Sequence, residues 1–446
     1  MLGKSPDQKQ KNLFQPLLKE FINPDHELVI LAERIPWEEL EDEFRELYSD
    51  TGQPSKPVRL MAGLLILKQM YDLGDETIMP VWVQNPYYQY FCGEAEFQWN
   101  YPCDPTDLVH FRKRIGESGV EKILELSVRL QPKKDLRSKD VIVDSTVQEK
   151  NITYPTDTKL YVKIIDRSNK IAKKEGIALR QSYKRTTKQL LLKQRFAHHP
   201  KRRKEAVKAQ KKLRTIAGRL TRELERKLPE ERLKLYLNDL ELFKKVLAQE
   251  RFDKDKIYSL HEPDTACIAK GKASKKYEYG SKVSFAMLPG SNIIVGVVNY
   301  KGNPHDSTTL EGTLNHCRKI LGREFNNAIV DRGYRGKKRI GKTNIISPGP
   351  PIKNNEYQRR KKRRQCRSRA AIEPVIEHIK DDCGMARNYL KGTIGDEMNA
   401  ILSAAAFNFR RLLRVIEQEI IFPVFGKIFF QKKLALIFQF HEKSTS

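Results

Sequence analysis

Two short apolar runs each deliver a carboxylate. Residues 326–336 read NNAIVDRGYRG. Ala328, Ile329 and Val330 predict a buried strand, and Asp331 follows at once, with Arg332, Gly333, Arg335 and Gly336 behind it. Residues 141–146 read VIVDST, so Ile-Val-Asp occurs a second time and ends on Asp144. If the two strands are neighbours, their ends bring two like charges together, and these repel strongly unless a cation lies between them. Such a pair suits a hard metal: Mg²⁺ takes one or two carboxylates and leaves positions for water and phosphate. A single Asp at a strand end is more often a turn residue, so the metal reading needs a third acid.

The third acid comes from residues 358–380, QRRKKRRQCRSRAAIEPVIEHIK, in which Arg369, Glu373 and Lys380 stand at the spacing R-x3-E-x6-K. On a helix Arg369 and Glu373 are i,i+4 neighbours, and Lys380 lies two turns beyond Glu373 on nearly the same face. One face then offers an acid for metal between two cations for phosphate. Glu377 is a rival one turn on, and the spacing to Arg369 and Lys380 favours Glu373. Read alone, the pattern is an ordinary surface ion pair.

These residues need elements to hold them. Residues 1–130 read as helical. PVRLMAGLLILKQMYDLG is almost continuously apolar with Gly74 as a stop, and DPTDLVHFRKRIG opens on helix-capping residues. The aromatic stretch NPYYQYFCGEAEFQWNYPCD between them is expected to be a packed loop, with Trp37, Trp82 and Trp99 in the core. A polar linker and the first Ile-Val-Asp strand fill 131–157. Residues 158–255 are a Lys- and Arg-rich insertion of two to four helices, the cleanest starting at Pro229. From 256 to 419 strand signals return. KYEYGSKVSFAML and SNIIVGVVNY flank LPGS as a hairpin, a helix follows with Asp306 or Ser307 as its cap, and after the Asp331 strand come a short strand at TNIISPG, a very basic loop and a last helical region from about Arg369 to Glu419. Residues 420–446 form a tail. The order is α/β with a helical insertion after the first strand and an all-α N-terminal domain.

Taken together, these motifs resemble the DDE transposases of bacterial insertion sequences, more narrowly the groups named after insertion sequences four and five, whose signature is Y-x2-R-x3-E-x6-K. VDSTVQEKNITYPTDTKL resembles the family's first-Asp region, GNPHDSTTLE the segment before the second Asp, and IVDRGYRG the second-Asp motif. RAAIEPVIEHIKDDCGMARNYLKG with NAILSAAAFNFRRLLR resembles the C-terminal signature, and two N-terminal stretches, PSKPVRLMAGLLILKQMYDLGDE and DPTDLVHFRKRIG, resemble the N-terminal domain. Cys366 stands where the family has Tyr.

The resemblance implies an RNase H-like mixed sheet with helices on both faces. It implies two Mg²⁺ ions, with Mn²⁺ able to substitute, held by Asp144, Asp331 and Glu373 roughly 3.5–4 Å apart for in-line attack on phosphodiesters. Arg369 and Lys380 would hold the DNA backbone and transposon end. The partners implied are double-stranded DNA, as terminal inverted repeats and target, and a second copy of the chain in a homodimer on DNA. The alternatives are a transposase-derived DNA-binding protein without catalysis, and a nuclease of the same fold without strand transfer.

The bulk numbers agree. Lys plus Arg is 84 against 56 Asp plus Glu, a formal net charge of +28, which favours a polyanionic partner. Arg359, Arg360, Lys361, Lys362, Arg363 and Arg364 form a run suited to phosphates, and Arg332 and Arg335 could face phosphates beside Asp331. The N-terminal helices are the candidate reader of inverted repeats. Six cysteines without a C-x-x-C pair fit neither a zinc ribbon nor a disulfide framework. A polar start, and a tail broken by Pro423, Lys427, Lys432 and Lys433, lead to the expectation of a cytoplasmic protein without a membrane span.

Overall fold

The computed structural model describes residues 1–3, 14–49, 51–195, 197–250, 252–269, 276–349 and 355–442, with side chains as far as residue 420. Seven helices precede the first strand among these residues: α1 (Leu18–Phe21), α2 (Glu27–Arg34), α3 (Trp37–Arg45), α4 (Val58–Met70), α5 (Ile78–Gln84), α6 (Pro86–Phe91) and α7 (Pro105–Arg129). Then come β1 (Asp140–Lys150), α8 (Asp157–Lys174), α9 (Lys184–Gln194), α10 (Arg203–Lys227), α11 (Glu230–Ala248), β2 (Ala266–Ala269), β3 (Tyr277–Met287), β4 (Ile294–Tyr300) and α12 (Asp306–Leu321). The chain continues with β5 (Asn327–Ile329), a 3₁₀ turn (Arg332–Tyr334), β6 (Arg339–Ile340), β7 (Thr343–Ile346), α13 (Glu356–Ser368), a second 3₁₀ turn (Arg369–Ala371), α14 (Ile372–Asp382), β8 (Arg387–Asn388) and α15 (Gly392–Glu442). No helix among the described residues is long and apolar enough to cross a membrane.

Two compact units result. The first comprises Met1–Gln148, Lys282–Tyr300 and Pro304–Ser446, the second Glu149–Ser281 and Lys301–Asn303. In the first, the strand order is β3-β1-β5-β7-β6, with β4 against β3 and β8 against β1. β1, β5 and β7 run parallel, while β3–β4 and β6–β7 are antiparallel, so the sheet is mixed. Alternation along β1 sends its side chains to two cores. Ile142 joins Val283, Phe285, Ile329 and residues of α4, α7, α14 and α15 on one face; Val141 and Val143 join Ala328, Val330, Leu310, Leu314 and Cys317 on the other. A strand buried on both faces reads as a continuous apolar run, which is why VIV and AIV look alike.

The N-terminal helices belong to the first core. α4 is buried almost all round, with only Arg59 and Lys68 less covered. It stops at Met70, before the expected Gly74, whose N–H instead donates to Thr77 Oγ1 at 2.7 Å. α7 opens on Asp104, which caps Thr106 N–H, and breaks at Gly116, where φ is 60°. The aromatic stretch is not all loop: Asn85 caps α6 and buries Tyr88, Tyr90 and Phe91. Trp37 and Trp82 are core residues as expected, whereas Trp99 is 77 % exposed, with Phe97 against it in an edge-to-face contact.

Among its described residues the second unit holds four helices, α8 to α11, around Leu160, Ile164, Leu213, Leu220, Leu240 and Phe243, with most of the helical Lys and Arg side chains outward. Pro229 caps α11, as the sequence predicts. β2 pairs with Tyr277–Gly280, the first part of β3.

Candidate active site

Parallel pairing of β1 with β5 places Ile142 opposite Ile329. Two residues further on in each segment stand Asp144, still on β1, and Asp331, just past the end of β5, and alternation gives Asp144 the face of Ile142, on which α14 packs. Asp331 follows its strand, as expected. Asp144 does not end one: β1 runs on to Lys150, since Thr146, Val147 and Gln148 remain buried and keep the backbone extended.

Each carboxylate is fixed by the chain beside it. Asp144 Oδ1 accepts the Ser145 N–H at 2.8 Å. Asp331 Oδ1 accepts the Gly333 N–H at 2.7 Å and so caps the 3₁₀ turn. Gly336 supplies the left-handed backbone that turns the chain away (φ 125°), but Gly333 has no such φ. A Cβ there would stand 3.0 Å from Asp331 Oδ1 and 3.1 Å from Asp306 Oδ2. Any other residue at 333 would press on two carboxylates, each of which would have to give by a few tenths of an ångström.

Ile372, Val375, Ile376 and Ile379 bury one stripe of α14 and leave Glu373 exposed at its first turn. Arg369, in the preceding 3₁₀ turn, joins this acid to the strand pair. Its Nη2 donates to Glu373 Oε1 at 2.9 Å and its Nη1 to Asp144 Oδ2 at 3.4 Å. Glu377 lies exposed one turn on and Lys380 is half-buried. The run Arg359–Arg364 lies on α13, a helix where a loop is expected; Asn355 caps it at Gln358 N–H, and none of its residues is buried. Gln365 at its far end donates to Asp140 Oδ2 at 3.3 Å, tying α13 to the start of β1. Arg332 and Arg335 are exposed beside Asp331. Cys366 is half-buried, and burial pushes its thiol up.

Sequence reasoning missed Asp306, Lys282, Ser145 and Tyr334. Asp306 is the first residue of α12 and not its cap, since His305 Nδ1 takes the Ser307 N–H. Asp306 Oδ1 accepts the Ser145 hydroxyl at 2.7 Å and Lys282 Nζ at 3.1 Å. Tyr334 is buried among these acids; burial, then the charges of Asp144 and Asp306, raise its phenol well above the usual range. The marks in the sequence are the motif GNPHDSTTLE, which holds Asp306, and a repeated tripeptide, Asp-Ser-Thr at 144–146 and again at 306–308.

The donor set fits a hard divalent cation: oxygen ligands on β1 and just past the end of β5, and a guanidinium already lying between Asp144 and Glu373. Among the described residues, no three acids yet converge closely enough to hold an ion by themselves. Arg369 would have to release Glu373.

Comparison with known proteins gives a consistent family. Residues 16–114 match the family described as a transposase domain, and residues 252–409 the family described as a transposase DDE domain. The second match includes Asp306, Asp331 and Glu373, while Asp144 lies upstream of it. An uncharacterized protein, ORF8 in the nfe locus of Rhizobium meliloti, is 41 % identical over 198 residues, which cover 43 % of this chain and 96 % of that protein. No solved structure matches. The mixed sheet with helices on both faces is accordingly the RNase H-like domain of this family, and the chain belongs to the DDE transposases of insertion sequences.

Proposed function

We propose that this transposase cuts the ends of its insertion sequence and joins them to target DNA. The alignment of Asp144 with Asp331, with Glu373 drawn toward them through Arg369, is the observation that carries the reading. Asp144, Asp331 and Glu373 would hold the divalent cations, two Mg²⁺ or Mn²⁺, which supply activation of the attacking oxygen and stabilisation of the leaving one. Asp144 and Asp331 are each held by a neighbouring amide. Glu373 is the movable arm. Released from Glu373, Arg369 turns its guanidinium to a DNA phosphate, which it can grip with two parallel hydrogen bonds.

The exposed cations of α13, Arg359 to Arg364, bind the duplex through its phosphates, and Arg332, Arg335 and Lys380 hold the strand beside the acids. The N-terminal helices read the terminal inverted repeats, two copies of the chain bring two ends together, and the work is done on chromosomal DNA in the cytoplasm. The test is Mg²⁺-dependent nicking and joining of a labelled duplex carrying the element's own ends. Cutting and joining by the wild type, both lost in Asp144→Ala, are expected; binding without any cut would make the chain a DNA-binding factor, and cutting without joining a nuclease.

A further inference from the structure

Asp306 lies between the two turns that pin the paired acids. On one side its Oδ1 takes the hydroxyl of Ser145, the residue whose amide holds Asp144. On the other its Oδ2 faces Gly333, the residue whose amide holds Asp331, at a spacing where a Cβ would meet it at 3.1 Å. A third carboxylate so close would raise the repulsion within the pair. Lys282 removes that penalty: it is nearly buried on β3, and its ammonium is shared between Asp306 Oδ1 and the Pro304 carbonyl at 2.7 Å. Asp306 thus stands against the residues that hold both acids, while its own charge is met by Lys282.

We infer that Asp306, neutralised by Lys282, is a positioning residue that sets the separation of Asp144 and Asp331 and thereby the affinity of the site for divalent cations. The role rests on the reading of Asp144 and Asp331 as metal ligands. It differs from theirs: Asp306 acts through Ser145 and Gly333. An ordinary helix-opening acid has no need of a buried lysine, nor of a glycine opposite its free oxygen.

The test is calorimetric titration of the full chain with Mn²⁺, alongside its thermal unfolding in EDTA and its affinity for duplex DNA. Asp306→Ala and Asp306→Asn are expected to weaken Mn²⁺ binding about ten-fold or more, the range for residues that support metal ligands. Ser145→Ala, which keeps the amide on Asp144, should move affinity the same way with unfolding unchanged, so the decision stands even if Asp306→Ala folds poorly. Duplex affinity should not move. Wild-type affinity in both Asp306→Asn and Ser145→Ala, with Asp331→Asn binding no Mn²⁺, would overturn the positioning role and leave the metal reading intact. Loss in Asp306→Asn as complete as in Asp331→Asn would make Asp306 a ligand and overturn the role as stated. No uptake by the wild type would overturn the metal reading, and this role with it.

Discussion

Arg369 holds Asp144 and Glu373 at once, at 3.4 and 2.9 Å, so one guanidinium occupies the place between a strand carboxylate and a helix carboxylate. It keeps the acids near each other in the absence of another cation, and it competes with any cation that arrives. Arg369→Ala should therefore lower stability in EDTA by about 1 kcal/mol, the scale of a partly exposed charged pair. Added Mg²⁺ should raise the melting temperature of the variant more than that of the wild type. Equal Mg²⁺ increments for both proteins would show that the guanidinium does not guard the site.

Asp331→Asn keeps the side-chain shape and the acceptor for Gly333 N–H while removing the charge. Cleavage of a duplex carrying the element's ends should fall by at least about 10²–10³-fold, as when one preorganised electrostatic group is deleted. Affinity for the same duplex should stay equal or rise, because a negative charge near phosphate is gone. Retained cleavage would end the metal-ligand role of this residue.

Glu373 and Glu377 sit one turn apart on α14, and only Glu373 is bonded to the arginine that also holds Asp144. Glu373→Gln should be inactive in cleavage and Glu377→Gln near wild type, both with duplex affinity kept. The reverse result would move the third acid by one turn of helix.

The cations Arg359, Arg360, Lys361, Lys362, Arg363 and Arg364 lie on a helix that contributes no buried residue, and Arg360 is shared with Glu356 at 2.6 Å. Their placement on a free surface fits neutralisation of phosphate better than support of the core. Replacing them with Gln should flatten the plot of log affinity against log salt by roughly one unit for each phosphate no longer neutralised. An unchanged slope would make α13 a bystander.

Much of this site is legible in the sequence because strand alternation and R-x3-E-x6-K are local patterns. The hairpin around Leu288–Ser291 and the α11 start at Pro229 are readable for the same reason. What stays hidden depends on partners distant in the chain. Asp306 looks like a helix cap until β3 brings Lys282, and β1 brings Ser145, against it. Gly333 looks like a turn residue until its neighbours prove to be two carboxylates. The basic run reads as a loop because charge masks helix periodicity where no face is buried.

Glu397 provides a check of the fold away from the strand acids. Burial first, then the charge and hydrogen bond of Glu117 and the charge of Glu121, push its carboxyl up to about 7. An unfolded Glu titrates near 4.5, so from there to about 7 the folded chain keeps a proton that the unfolded chain releases. This contribution is full below pH 4.5 and is lost as pH rises through 7. After allowance for solvent screening it is on the order of 1 kcal/mol. Glu397→Gln abolishes the titration while keeping a donor for Glu117. Its melting temperature should match the wild type near pH 4.5 and exceed it at pH 8, where the wild type must hold two like charges together. Thermal unfolding of both proteins across that range decides the matter, and a constant difference at every pH would show that Glu397 keeps no extra proton in the folded chain.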